Sequence, residues 1–379
     1  MSGIYIHIPF CKQACSYCDF YFITQQNLRT QFIKRLCEEI ESYKDSIYTE
    51  ETIKTIYLGG GTPSLLSAGE LEQIITTLRR VFSIESEETT IELNPDDVSK
   101  DYLKELRLLG INRASMGVQS FDKERLKFMN RAHTPEEARI ALDYLGKTGF
   151  QVHTVDLIYG NPGQTLNDLE YDINQFLEFD PPHISAYALT IEPRTRLGKQ
   201  VELGRLKPAD DDLVAEHFDL LNEMLADSGI TRYEVSNYCK PGAEAVHNTN
   251  YWNHANYLGF GPSSHSFWWD ESRATRWRSA GDIRHYLQKP FTENYMEHET
   301  LTDKELAEER LMLGLRTRDG VLIKELKDRY HYKLNNNQLD WIAGKQNEGL
   351  LNFNGLQIKM TNKGIKIADH LIVELLTRK

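Results

Sequence analysis

Short apolar segments, rich in β-branched or aromatic residues, alternate with helical patterns along the first two thirds of the chain. The six predicted strands are Ile4–Ile8, Ile53–Leu58, Thr89–Leu93, Arg113–Val118, Val152–Ile158 and His183–Leu189. The helical stretches that follow them are Phe32–Tyr43, Ala68–Phe82, Lys100–Leu109, Pro135–Leu145, Leu166–Phe179 and Asp211–Ala226. Strands that alternate with helices over short connections form parallel sheets. Six such units predict an α/β fold, a partial (βα)6 barrel of the TIM type, open on one side, over residues 1–235.

The rest of the 379-residue chain has a different pattern, and the length itself favours more than one domain. Residues 236–300 are rich in aromatic residues and histidine, and they predict a connecting segment. Helices are then predicted at Asp303–Leu315, Ile323–Tyr330 and Gln338–Lys345, before a hairpin that turns at Asn354–Gly355. Residues 301–379 therefore predict a winged-helix-like α+β domain.

Composition and charge narrow the class of protein. Hydrophobic residues make up 40% and charged residues 26%, which is typical of globular proteins. The net charge of −12 argues against nucleic acid as a partner, although a winged-helix nucleic-acid binder with a sensory cluster remains a minor alternative. No apolar run approaches the ~20 residues of a membrane helix, and no signal-peptide pattern opens the chain. With free thiols near the N-terminus, this predicts a cytoplasmic protein.

Three cysteines lie close together at Cys11, Cys15 and Cys18, in a C-x3-C-x2-C spacing. Three thiolates on one loop can hold three irons of a cubane 4Fe–4S cluster and leave the fourth iron open for chemistry. Zinc with His7 as a fourth ligand is the alternative metal. A disulfide framework does not fit an odd number of cysteines. The two remaining cysteines, Cys37 and Cys239, are predicted to be structural.

Each later strand also ends in a distinctive segment: GGGTPS (59–64), ELNPD (92–96), GVQS (117–120), DLIYGNPGQT (156–165) and YALTIEP (187–193). In a parallel barrel these ends converge on one face, where such folds build their sites. Glycines allow the backbone to approach a ligand closely, and a carboxylate such as Glu92 can accept hydrogen bonds from an ammonium group or ribose hydroxyls. Taken singly, each segment also fits an ordinary turn or an exposed polar residue.

The cysteine segment YIHIPFCKQACSYCDF (5–20), with GGGTP, MGVQS and DLIYGNPGQT, resembles the radical S-adenosylmethionine (SAM) family, and within it the oxygen-independent coproporphyrinogen III oxidase group. The resemblance covers nearly the whole chain and implies SAM as a cofactor beside the 4Fe–4S cluster. The SAM contacts that it implies are Tyr5, Tyr17, Gly60, Gly61, Thr62, Glu92, Gln119, Arg131, Asp156 and Ala188. Its glycine turn would hold the methionine amino group, and the later residues would surround a nucleoside or a second SAM molecule.

The segment HNTNYW (247–252) is similar to a pattern of the haem-chaperone branch of that group. An imidazole can ligate haem iron, and flat aromatic rings can cover a porphyrin. The resemblance implies haem as cargo, with His247 as its ligand. It also implies haem-acceptor proteins, membrane-associated respiratory proteins among them, an electron donor such as a flavodoxin or ferredoxin, and a homodimer. A buried aromatic loop with a hydrogen-bonded histidine is the alternative interpretation.

Three departures separate the chain from the enzymes of that group. Phe20 stands where they have a fourth cysteine, and the chain begins at Met1, without their extension before the first strand. His265 stands where they have an aliphatic SAM contact, so the resemblance assigns it no role. The first two departures favour a haem chaperone over the alternative, an oxygen-independent coproporphyrinogen III dehydrogenase. The intact SAM motifs leave open whether the protein is an enzyme.

Overall fold

A computed structural model describes residues 2–270 and 273–378. Its central feature is a set of six parallel strands in chain order. These strands are β1 Ser2–Ile8, β2 Ile53–Gly60, β3 Ile84–Leu93, β4 Arg113–Gln119, β5 Val152–Tyr159 and β6 His183–Ala188. All six predicted strands are confirmed within a few residues at each end, and so is the parallel arrangement of a partial TIM-type barrel.

Six further strands extend this sheet at its two edges. They are β7 Thr231–Arg232, β8 Asn237–Cys239, β9 Tyr257–Phe260, β10 His265–Asp270, β11 Arg273–Ser279 and β12 Tyr295–Leu301. The strand order is β12-β11-β10-β9-β1-β2-β3-β4-β5-β6-β8-β7. Strand β9 pairs with β1 in parallel, whereas β10, β11 and β12 continue in antiparallel pairs. The sequence analysis did not predict these six strands.

Helices follow the parallel strands, and the six predicted ones are confirmed. Through the barrel the helices are α1 Arg29–Glu41, α2 Ala68–Val81, α3 Lys100–Leu108, α4 Lys123–Phe128, α5 Pro135–Lys147, α6 Leu166–Leu177, α7 Arg196–Glu202 and α8 Asp211–Asp227. Of these, α4 and α7 were not predicted. Short 3-10 helices lie at Gln26–Leu28, Ile47–Thr49, Pro63–Leu65 and Pro95–Asp97. Helices α2, α5 and α6 begin at capping boxes, in which Ser67, Thr134 and Thr165 exchange hydrogen bonds with an acidic residue three positions on.

Three short helices and a small α+β unit complete the chain. They are α9 Val246–Trp252, α10 Ile283–Gln288 and α11 Phe291–Asn294, then α12 Asp303–Gly314, α13 Ile323–Tyr330, α14 Asn336–Asn347, α15 Asn362–Ile365 and α16 Ala368–Thr377. Strands β13 Val321–Leu322, β14 Leu351–Phe353 and β15 Gln357–Met360 form a three-stranded antiparallel sheet. Gly355 adopts a φ of 83°, which fits the predicted hairpin turn. The predicted α+β architecture is confirmed, while the boundaries at 235 and 300 stay a prediction.

Alternation along the strands divides the barrel into an apolar outer layer and a polar interior. Ile4, Ile6 and Ile8 of β1 are fully buried in the main hydrophobic core. Since side chains alternate across a strand, the residues between them face the other way, toward the barrel interior. Nowhere in the described part of the chain is there a helix whose length and apolarity would let it cross a membrane.

Candidate functional site

A cavity of about 540 Å³, here called the cluster cavity, opens where the six parallel strands end. Twelve of the fourteen predicted site residues line it. They are Cys11, Cys15, Cys18, Tyr17, Gly60, Gly61, Thr62, Glu92, Gln119, Arg131, Asp156 and Ala188. The convergence follows from topology, because parallel strands in a barrel deliver their carboxyl ends to one face.

Backbone contacts hold the cysteine loop against the segment that precedes α5. Ser16 donates its backbone N–H to the carbonyl of Met129 at 2.9 Å. The side chains of Gln13 and Asn130 each donate to a backbone carbonyl of the other segment, at 2.9 and 2.7 Å. Asn130 adopts a φ of 55°, a conformation that asparagine tolerates better than most residues. The loop therefore has a defined position although it contains almost no regular structure.

The thiols receive hydrogen bonds from both sides of the cavity. Arg131 donates to the sulfur of Cys15 at 3.4 Å, and the Thr62 hydroxyl donates to the sulfur of Cys11 at 3.6 Å. Burial raises the pKa of Cys11 to about 11 and that of Cys18 to about 12. At pH 7 the Cys11 and Cys18 thiols are therefore neutral, so metal binding must displace their protons.

The alternative of a zinc site with His7 is not supported by the geometry. Both ring nitrogens of His7 have partners, since Nδ1 lies 3.1 Å from the Tyr5 hydroxyl and Nε2 lies 2.9 Å from the carbonyl oxygen of Tyr21. Within residues 2–270 and 273–378, no group of three or more His, Cys, Asp or Glu side chains converges on a single ion position. A cubane distributes its three thiolates over three irons, so the cysteines fit a cluster without converging on one point.

The turn after β2 brings backbone close to the loop. Gly60 has a φ of 114°, and a β-carbon there would lie 2.8 Å from the His7 ring. At Gly61 a β-carbon would lie 2.7 Å from the carbonyl oxygen of Phe10. Both positions therefore require glycine, the first for conformation as well as space. Gly60 also donates its N–H to Glu92 at 3.2 Å, which ties the turn to β3.

Two carboxyl groups lie inside the cluster cavity. Burial raises the pKa of Glu92 to about 7, although the Tyr57 hydroxyl donates to it at 2.8 Å. Burial likewise raises the pKa of Asp156 to about 6, against the hydrogen bonds that it accepts from serine hydroxyls, one of them Ser115 at 3.1 Å. A cationic ligand would favour the ionised form of both groups.

Several polar atoms in this cavity have no hydrogen-bond partner. Gln119, whose φ is 68°, leaves Oε1 buried and unpaired, and Thr90 leaves its hydroxyl unpaired. Buried polar atoms are normally satisfied, so atoms left orphaned in a cavity fit a site built for a polar ligand. These atoms, the glycine turn and the two carboxyl groups together match the donors and acceptors of an amino acid joined to a nucleoside.

The sequence analysis missed some residues that line the cluster cavity, although the sequence contains a pattern that indicates them. Polar residues recur at alternate positions on the inner face of the later strands, where Thr90, Arg113, Ser115, Thr154, His183 and Ser185 accompany the predicted Glu92 and Asp156. A period of two marks one face of a strand, and polar residues on a barrel's inner face mark a wet interior. Asn94 was also missed; its side-chain oxygen accepts from Arg131 at 2.6 Å.

The other two predicted site residues lie outside the cluster cavity. Tyr5 lines a second cavity, which is described below. His247 is 1% exposed, on α9 behind β2, and lines neither cavity. Its Nδ1 lies 2.8 Å from the Thr55 hydroxyl, and its Nε2 lies 2.7 Å from the Tyr251 hydroxyl. Both ring nitrogens therefore have partners.

Comparison with known proteins places this geometry in a family. The sequence profile of the radical SAM superfamily matches residues 5–176, and that of the HemN C-terminal domain matches residues 301–367. Heme chaperone HemW of Lactococcus lactis is 35% identical over 378 residues, which cover 99% of this chain and 97% of the relative. The chain belongs to the HemW family of radical SAM proteins. HemW of Bacillus subtilis is 34% identical and covers 96% of each chain.

Among solved structures, coproporphyrinogen III oxidase (HemN) from Escherichia coli, a radical SAM enzyme, shares the HemW fold seen here. It matches with a TM-score of 0.85 over 99% of this chain and 90% of that chain, at 22% sequence identity. That likeness shows the fold. Membership of the radical SAM superfamily implies a 4Fe–4S cluster and SAM, and the residues of the cluster cavity fit both groups.

Proposed function

We propose that the protein is a haem chaperone that binds a 4Fe–4S cluster, SAM and haem and transfers haem to acceptor proteins. The observation that carries the proposal is the relationship over nearly the full length to proteins named heme chaperone HemW. At the residue level, Phe20 supports it, because a phenylalanine that is 73% exposed stands where the related enzymes have a fourth cysteine.

In this proposal the cluster cavity holds the two resident cofactors. Cys11, Cys15 and Cys18 hold the cluster, and Arg131 supports it through its hydrogen bond to Cys15. The glycine turn and Glu92 accept the methionine end of SAM. When bound, the cluster and SAM would supply one-electron reductive chemistry, which belongs to the cofactors and not to the protein's side chains.

The second candidate function is oxygen-independent coproporphyrinogen III dehydrogenase. Nine of the ten predicted SAM contacts line one cavity, which favours this function, because a chaperone has no evident need for radical chemistry. The substitution at Phe20 argues against it.

The assignment of His247 as haem ligand stays a prediction. In the described conformation its ring must leave both Thr55 and Tyr251 before it can bind iron. The other proposed features are a cytoplasmic location, an electron donor such as a flavodoxin or ferredoxin, membrane-associated respiratory proteins as haem acceptors, a homodimer, and domains at 1–235, 236–300 and 301–379.

A paired experiment decides between chaperone and enzyme. The reconstituted protein is titrated with haem under anaerobic conditions, and in parallel it is incubated with SAM, a reductant and coproporphyrinogen III. We expect a saturable haem spectrum and no protoporphyrinogen above the level of a Cys15→Ser control, which lacks a cluster ligand. Substantial conversion that depends on Cys15 would transfer the proposal to the dehydrogenase. Absence of saturable haem binding would contradict the chaperone.

A further inference from the structure

A second cavity, of about 550 Å³, adjoins the cluster cavity. Asp19 and Phe20, which follow Cys18 directly, line both cavities and so form their common border. The other walls come from β1, from α9 and the residues after it, from β9, β10 and β11, and from α12. The cavity thus lies where the barrel edge meets the first helix of the C-terminal unit.

The lining of this cavity is mostly aromatic. Of the sixteen described residues that form it, nine carry an aromatic or imidazole ring. The Tyr251 and Tyr257 rings meet edge to face with centroids 4.6 Å apart, and Tyr257 stacks on Phe267 at 6.3 Å. Such a surface suits a flat, largely apolar ligand.

The charges argue against a phosphorylated ligand. Arg276 is the one Lys or Arg among the described lining residues, and two carboxylates already occupy it: Glu309 at 2.7 Å and Glu299 at 2.6 Å. Asp19 and Glu309 add negative charge, so a nucleotide would be repelled. Haem of the protoporphyrin type carries both of its carboxylates on one edge, so the rest of its ring can lie against such a lining while that edge remains in water.

An iron ligand is present in the wall. His265 is exposed at the start of β10, and it lines the second cavity on the same strand as Phe267. Imidazole is a common axial ligand of haem iron. If a flat macrocycle lay against Tyr257 and Phe267, its central metal would lie close to β10. This is the strand that carries the His265 imidazole.

The HNTNYW motif meets the cavity through its tyrosine. Tyr251 lines the second cavity, while the His247 ring lies behind it and bonds the Tyr251 hydroxyl at 2.7 Å. In this geometry His247 is a positioning residue, since it orients an aromatic wall and does not face the ligand. A motif associated with haem would then act through the shape of the cavity.

We propose that haem binds in the second cavity with His265 as its iron ligand, and that His247 positions the wall through Tyr251. This inference rests on the proposed function, because it names the site of the haem that a chaperone must carry. Since Asp19 and Phe20 border both cavities, bound haem would lie beside the cysteine loop.

Titration with ferric haem, followed by absorption and electron paramagnetic resonance, tests the site in the full-length reconstituted protein. We expect His265→Ala to weaken haem affinity at least about tenfold and to change the iron-ligand signature. Ala255→Trp, which places a bulky ring in the cavity, should lose haem binding but retain SAM binding. His370→Ala on α16, an exposed histidine far along the chain, is the matched control and should change neither.

The variant His247→Ala distinguishes the positioning role proposed for His247 from the iron-ligand role proposed for His265. We expect weaker haem binding with an unchanged iron-ligand signature, because the ligand itself is intact. If this variant loses the signature, or if His265→Ala keeps both signature and affinity, the proposed site is wrong while haem binding itself still stands. If the unmodified protein binds no haem, the proposed function fails as well, which is a different result.

Discussion

Glu92 and Asp156 show how the barrel interior changes the chemistry of single residues. Burial raises the pKa of Glu92 to about 7 and that of Asp156 to about 6, so both titrate in the physiological range. A carboxyl group held near neutrality in a cavity is typical of a functional site. The binding of a cation here must therefore depend on pH.

We expect SAM affinity to fall as the pH is lowered from about 7.5 to about 5.5, by up to tenfold per pH unit. Below its raised pKa, Glu92 is protonated and neutral, so the favourable interaction with an ammonium group is present above pH 7 and lost below it. Calorimetry of the reconstituted protein measures the affinity. Glu92→Gln should bind more weakly with a flatter pH profile, and an equally steep profile in that variant would exclude Glu92 as the titrating group.

Only the cysteines that line the cluster cavity are expected to hold the iron–sulfur cluster. Cys15→Ser should abolish the iron–sulfur absorbance of anaerobically reconstituted protein, because a cubane held by two thiolates is poorly retained. Cys37→Ser is the matched control: Cys37 lies half-buried on α1, its sulfur 3.9 Å from the carbonyl oxygen of Gln73, and outside the cluster cavity. Equal loss of absorbance in the two variants would refute the assignment of the ligand set.

At the scale of elements, the turn after β2 links three strands. Its backbone contacts β1 through Gly61, whose N–H donates to the carbonyl of Ile8 at 2.8 Å, and it contacts β3 through Glu92. A change in this turn therefore acts on several walls of the cluster cavity at once.

Gly60→Val should block SAM binding. A β-branched residue disfavours the φ of 114°, and the added carbon would press on the His7 ring. Gly69→Ala in α2 is a matched control, since a β-carbon there meets nothing within 4 Å. Calorimetry with SAM compares the two variants, with circular dichroism to show that each is folded. Undiminished affinity in Gly60→Val would contradict the role of the turn.

Helix α9 depends on a residue that is remote in sequence. Its N-terminus has no side-chain cap of its own, and Glu88 of β3 accepts the N–H groups of Val246 and His247 at 3.0 and 2.9 Å. Glu88 also pairs with the buried guanidinium of Arg113 at 3.3 Å. One carboxylate thus joins the helix of the HNTNYW motif to the barrel.

Glu88→Ala should lower the free energy of unfolding by about 3–5 kcal/mol, because it leaves a buried arginine unpaired. Chemical denaturation measures the loss. Glu85→Ala removes a carboxylate from the same strand that pairs with Lys54 at the surface, and it should leave stability nearly unchanged. Similar losses in the two variants would show that the Glu88 contacts add nothing beyond a surface ion pair.

At the scale of the whole molecule, local sequence patterns predicted the six-stranded barrel better than the later strands and helices that pack against it. Strands β1 to β6 and their helices follow from periodicity, and topology alone brings the cysteine loop to the glycine turn. Strand β9 is four residues long and pairs with a strand about 250 positions earlier, so no local pattern marks it. The sequence analysis predicted no helix at α9, and no local signal marks its start, because the carboxylate that accepts its first N–H groups is Glu88 of β3. Tyr5 lines the second cavity together with residues of β9 and β10, and His247 lies within α9. Neither residue therefore lies in the cluster cavity.

Strand β1 has a hydrogen-bonded neighbour on each side, β2 and β9. Its amide hydrogens can exchange with deuterated solvent only when one of these pairings opens, whereas most of the cysteine loop lacks such protection. We expect mass spectrometry to show slow exchange over residues 3–8 and faster exchange over residues 12–22, even in protein stripped of iron. Iron and sulfide would then assemble on a loop whose N-terminal end is already fixed by β1.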